Sequence, residues 1–127
     1  MKFETPLHQA KGLGSAKSGL PHWILQRITA IALIPLGIWF VGAFILFLTA
    51  PFDVTLTWFS SPWAAALSIL FIVVSFYHGC LGLQVIWEDY IPNEFTKWIL
   101  IIITQFFSVA MALLATLSIF KILLGSA

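Results

Sequence analysis

An all-α integral membrane protein with three transmembrane helices is predicted by three observations. The chain has 127 residues, of which 61% are hydrophobic and 9% charged, with a mean hydropathy of +1.03. That much apolar surface cannot be hidden inside a water-soluble globule of this length. The apolar residues fall in three long runs, each of bilayer length. Tryptophans 23, 58, 63, 87 and 98 stand near the ends of those runs, where an interfacial belt places them.

The first uninterrupted apolar run extends from about Ile28 to Leu48, roughly 30 Å of helix at about 1.5 Å per residue. Its polar approach extends the expected helix to about 24–49. Pro35 and Gly37 lie in its middle, where the proline removes a backbone hydrogen bond and is expected to bend the helix. The segment from Ala50 to Pro62 holds two prolines and several polar residues, so the first helix stops there and a second begins near Pro62, running over about 62–88. The segment Glu88–Lys97 contains three of the five acids and separates it from a third helix at about 95–124, long enough to span with some tilt. No internal repeat is present.

Residues 1–22 read as a polar, basic leader and 23–127 as a three-helix transmembrane anchor domain. Lys2, Lys11, Lys17 and Arg27 precede the first span, the next loop carries no Lys or Arg, and the following one carries only Lys97. The positive-inside rule therefore puts the N-terminus in the cytoplasm, the C-terminus on the far side and the Asp89–Tyr90 corner back at the cytoplasmic face. A cleaved signal peptide is rejected: the polar lead and the apolar run are both too long, and Pro51 follows the small residues Thr49 and Ala50. The Gly12–Gly19 stretch fails as a phosphate-binding loop, because Ala16 stands where a glycine must precede Lys17 and no strand leads in. A net charge of +1 gives no reason to propose nucleic-acid binding, and a single cysteine, Cys80, excludes an intrachain disulfide. No room is left for a soluble catalytic domain, so any chemistry is shared with partners.

The second helix carries the residues of interest. His78, Gly82, Val85 and Asp89 are spaced 4, 3 and 4 and form one stripe, extended backward by Ser75 and Phe71. An imidazole in mid-span costs a few kcal/mol against lipid, so this stripe faces protein or a cofactor. Two readings stand on the residues alone. His78 is a haem ligand, with Gly82 leaving room for a flat macrocycle, or it hydrogen-bonds across helices while Gly79 and Gly82 serve plain packing. If it is a ligand, no second histidine lies within a span, since His8 and His22 precede the first one, and a bis-histidine haem requires another chain. Met111 is a weaker alternative donor, and Cys80 reads as a small core residue. Arg27 is a snorkelling anchor that is also able to pair with a carboxylate such as a haem propionate. Asp89 and Tyr90 suit the polar end of a span. They also suit quinone reduction, in which a phenol donates to a carbonyl oxygen while a carboxylate relays protons.

The run from Trp23 to Ala30 (WILQRITA), the segment from Phe76 to Tyr90 (FYHGCLGLQVIWEDY), the leader residues Leu13–Lys17 and the three spans together resemble the hydrophobic membrane-anchor subunit of succinate dehydrogenase (complex II), of the alphaproteobacterial kind. The match covers nearly the whole chain, and its most diagnostic element is a histidine, ten intervening residues, then Asp-Tyr. The resemblance implies a four-chain enzyme in the bacterial inner membrane, with a flavoprotein, an iron–sulfur subunit and a sister cytochrome b membrane subunit that packs with this chain into a helical bundle. It implies a b-type haem shared with the sister and ubiquinone as substrate, with the citric acid cycle linked to the respiratory chain. By that likeness His78 is the axial haem ligand from this chain, Tyr90 the quinone hydrogen-bond donor, Asp89 its neighbour and Arg27 a residue near the propionates. The sister chain typically shows a His-Arg pair before Thr-Gly in its first helix, whereas here Gln26, Arg27, Ile28, Thr29 and Ala30 stand, which favours the anchor. The chain alone is expected to catalyse nothing. The rival readings are a fumarate reductase anchor, which shares the fold, and a non-redox packing or channel subunit.

Overall fold

The computed structural model describes residues 19–125. The leader residues 1–18, with Lys2, Lys11, Lys17, His8 and most of the glycine-rich stretch, lie outside the described residues. Four helices follow one another: α1 Gly19–Phe47, α2 Phe52–Phe59, α3 Pro62–Tyr90 and α4 Glu94–Leu123. Three of them, α1, α3 and α4, are long and apolar enough to cross a membrane, and no strand occurs among the described residues.

The expected spans are all present, with shifted ends. Helix α1 is already formed at Gly19, the first described residue, ahead of the expected 24. It continues helical through Pro35. Helix α3 starts with Ser61 extended and Pro62 at its first position. It ends at Tyr90 because Ile91, which precedes Pro92, is driven to extended geometry (φ −103°, ψ 105°). Only Ile91–Asn93 separate α3 from α4. The Asn93 side chain caps α4 by accepting the Thr96 N–H at 3.1 Å, with Glu94 at the positive and Lys121 at the negative end of the dipole. Gly125 then takes φ 70° just past the last turn.

Helix α2 differs from expectation. The segment between the first two spans is not a plain proline-broken loop: eight of its residues are helical, with Pro51 at the N-cap position and Asp53 in the first turn. Its Trp58 stacks on Trp39 of α1 (5.2 Å, 27°) and meets Phe47 edge-on (5.0 Å, 77°). It also touches α3 and α4. An aromatic plug thus ties the spans together at the end of the molecule away from Tyr90.

Helix α3 is the middle of a row. Helices α1 and α4 each pack along it and scarcely touch each other. His78 bonds to α1 and Trp87 to α4, and nine positions on a helix are about 900°, or opposite faces. Small residues make the crossings possible: Ala64, Ala65 and Ser68 of α3, Ala43 of α1 and Ser108 of α4 are buried, letting backbones approach as membrane helices do. Phe40 stacks on Phe71 at 4.5 Å and 19° beside Gly37. Nearly everything else large and apolar points outward, including Ile38, Trp63 and Phe106. A row with this much open apolar surface is at home against lipid or another membrane chain, not water.

Candidate functional site at the α1–α3 seam

The seam between α1 and α3 holds the half-buried imidazole of His78, and Thr29 of α1 lies with Oγ1 2.8 Å from its Nδ1. Thr29 is buried. Its hydroxyl oxygen also stands 2.7 Å from the carbonyl oxygen of Leu25 and 3.2 Å from that of Gln26. One turn along α3, Gln26 folds over Gly82; a Cβ on that glycine would stand 3.4 Å from the Gln26 amide nitrogen. The space that Gly82 leaves is therefore filled, within this chain, by a glutamine side chain. Further along the ridge, the Nε2 of His22 and the Oε1 of Gln26 are buried without a hydrogen-bond partner among the described residues. His22, Gln26 and Thr29 are spaced 4 and 3, one face of α1 turned to α3.

The other expected residues are placed less centrally. Asp89 and Tyr90 end α3 fully exposed, Tyr90 at 77%. Neither makes a hydrogen bond within the described residues, whereas Glu88 accepts one from Gln84 at 2.8 Å. Arg27 stands two positions from Thr29, about 200° round the helix. Its guanidinium sits over the Trp23 ring at 5.4 Å, a cation–π contact worth about 0.5–1 kcal/mol at an exposed site. The structure thus brings His78, Gly82 and the α1 ridge together, and it does not bring Arg27 or Tyr90 into contact with them. Met111 belongs to α4, on the opposite face of α3 from His78. Cys80 turns toward α4 as well, lining both clefts found there. The larger of those clefts, about 560 Å³ and bordered by Tyr77, Gln84 and Gln105, includes none of His78, Asp89 or Tyr90.

Among the described residues, no cluster of three His, Cys, Asp or Glu side chains is able to hold a metal ion. His78 offers one donor. Any metal it binds takes its remaining ligands from a macrocycle or from another chain.

The family described as succinate dehydrogenase/fumarate reductase transmembrane subunit matches residues 1–119. The chain belongs to this succinate dehydrogenase/fumarate reductase transmembrane family. Among its relatives is a protein of Rickettsia conorii named succinate dehydrogenase hydrophobic membrane anchor subunit, 34% identical over 108 residues that cover 84% of this chain and 86% of the relative. Proteins of the same name from Rickettsia bellii (35% identical, 84% and 86% covered) and Paracoccus denitrificans (29%, 76% and 75%) are also similar. No solved structure matches.

For a transmembrane subunit of succinate dehydrogenase or fumarate reductase, the seam has the right donor chemistry for a haem. An imidazole held at one nitrogen by the protein, with the other making no hydrogen bond among the described residues, is placed as an iron-ligating histidine is. Sequence reasoning identified His78 but passed over Thr29, Gln26 and the seam-facing role of His22. The signal was there: three polar residues at helical spacing, 22, 26 and 29, lead into an apolar run, and a polar ridge of that kind seeks a polar counterpart on the neighbouring helix.

Proposed function

We propose that this chain is the membrane anchor of a succinate:ubiquinone oxidoreductase of the bacterial inner membrane, with its N-terminus in the cytoplasm. It docks the flavoprotein and iron–sulfur subunits, and with a sister cytochrome b membrane subunit it forms a haem pocket and part of a quinone-reducing site. The single observation that carries the reading is the half-buried His78, engaged at Nδ1 by Thr29 and making no hydrogen bond at Nε2 among the described residues, on the helix that ends in Asp89 and Tyr90. When bound, a b-type haem supplies a one-electron carrier there. His78 would hold its iron through one ring nitrogen, Gly82 and Gln26 would line the space beside it, and Arg27, on the outer face of α1, would be available to a propionate.

Reducing ubiquinone to ubiquinol takes two electrons and two protons. The electrons come from succinate through the flavin and iron–sulfur centres of the partner subunits, since this chain has neither the cysteines nor the nucleotide loops for such groups. Tyr90 donates its phenolic hydrogen to a quinone carbonyl oxygen, which polarises the ring toward reduction, and Asp89, open to water, passes protons to the reduced oxygens. The exposure of both residues suits a site whose other walls belong to partner subunits. The names of the relatives favour succinate oxidation over fumarate reduction.

A second reading has a specific observation behind it. The Thr29–His78 hydrogen bond is also what a histidine that merely glues two membrane helices would make. Substituting His78→Ala in the assembled complex separates the two: loss of the low-spin b-type absorption, or of haem itself, is expected. An unchanged spectrum and haem content would leave a packing histidine and remove the ligand assignment.

A further inference from the structure

We propose that Thr29 is the positioning residue for the iron ligand: it fixes which nitrogen of His78 carries the proton, holds the ring plane, and sets the electron-donating strength of the axial nitrogen. This rests on the reading of His78 as a haem ligand. A threonine hydroxyl has one proton and two lone pairs. Three groups surround the Thr29 hydroxyl: the carbonyl oxygens of Leu25 (2.7 Å) and Gln26 (3.2 Å) and the Nδ1 of His78 (2.8 Å). Carbonyl oxygens only accept. The single proton therefore goes to the nearer carbonyl, that of Leu25, in the back-bond one turn up the helix that membrane threonines commonly make. If the proton went to Nδ1 instead, the hydroxyl oxygen would face two carbonyl oxygens with only lone pairs, one of them at 2.7 Å.

With its proton spent on Leu25, the hydroxyl presents lone pairs to His78, so Nδ1 must be the donor. In the neutral ring that leaves Nε2 unprotonated. The tautomer is thus decided by a residue 49 positions away on another helix, and it is the tautomer that ligates through Nε2. Two further consequences follow. The Nδ1–H···Oγ1 bond restrains rotation of the ring about its Cβ–Cγ bond, since α1 is clamped to α3 above and below by Phe40 on Phe71 and Gln26 over Gly82. An acceptor on Nδ1–H also makes the ring a stronger donor at Nε2, which favours ferric over ferrous iron and lowers the midpoint potential.

The test uses the whole four-chain complex with Thr29→Val, which keeps the branched shape and removes the hydroxyl, and Thr29→Ser, which keeps the hydroxyl. Three quantities are read: the haem midpoint potential by redox titration, the ferric g-values by electron paramagnetic resonance, and the rate of haem loss to an apo-haem acceptor. For Thr29→Val a potential higher by the equivalent of about a tenfold change in the ferric-to-ferrous ratio, about 59 mV for one electron, is expected, with shifted g-values and haem retention weaker by about 10–100-fold. Thr29→Ser should restore all three. Thr29→Ala, which adds no bulk, serves in the same way if the valine variant does not assemble. Should His78→Ala eliminate the low-spin haem while the hydroxyl-free variants keep the native potential, g-values and retention, the positioning role alone is overturned. Should His78→Ala leave the haem unaltered, this inference and the haem reading fall together.

Discussion

The two ends of this molecule are built on opposite plans. At one end α2 presses Trp58 and Phe59 against Trp39 and Phe47, and rings of the same chain satisfy one another. At the other, Asp89 and Tyr90 stand exposed at the tip of α3, their side chains without a hydrogen bond among the described residues. The difference teaches where the chain is self-sufficient and where it expects company. Apolar rings pack with whatever ring is near, so a short chain can finish that end by itself. A phenol, a carboxylate and an imidazole work only when a substrate, a cofactor or a partner subunit completes their surroundings. Between the ends, the α1–α3 seam is intermediate: Thr29 answers His78 at one nitrogen, and no other described residue hydrogen-bonds the second.

The contrast can be broken from either side. The largest effect is expected at the open end, where Tyr90→Phe should lower succinate-to-ubiquinone turnover by about 10²-fold or more, the usual range for a lost proton donor, with succinate oxidation by an artificial acceptor retained. Equal loss of both activities would assign Tyr90 to assembly. At the closed end, Trp58→Ala removes contacts to Trp39, Phe47 and Phe59. Each aromatic pair is worth about 0.5–1.5 kcal/mol beyond area burial, so thermal melting of the complex should move down while the haem spectrum stays put. A spectral change would mean that the two ends are coupled. The smallest effect belongs to Lys97→Ala, which breaks the 2.6 Å pair with the exposed Glu94 in the first turn of α4. A cost of no more than about 0.5 kcal/mol is expected, and a larger fall in melting temperature would show that Lys97 holds something more than its helix neighbour.

The three spans were legible because membrane helices advertise themselves by length: no soluble core needs runs such as Ile28–Leu48. Their ends were less so, since Gly19–His22 read as part of the leader, yet they already belong to the helix. Helix α2 was hidden for two reasons. Pro51 read only as a breaker, whereas it stands at the N-cap position of a helix, just as Pro62 stands at the expected start of the next. The sequence between them alternates Phe52, Val54, Leu56 and Trp58 with polar residues, a period unlike a helix, and the pull of Trp39 and Phe47 on Trp58 overrides it. At the site, His78 was legible because a mid-span imidazole is costly and must be explained. Thr29 was legible only as one member of the polar 22, 26, 29 face of α1; which member of that face meets His78 depends on how far α1 slides along α3, and nothing local in either helix records that offset. Arg27 shows the converse: its charge made it conspicuous, while its position, on the side of α1 away from Thr29, emerged only from the fold.

Three residues, Ile91 to Asn93, are all that join α3 to α4, and the joint is locked twice, by the Asn93 cap and by the Trp87 indole donating to Thr104 at 3.1 Å. A coupling that stiff has no slack to absorb a vertical displacement. The tip that carries Tyr90 and the first turn of α4 therefore form a single corner, whose heights along the two helices are fixed to each other.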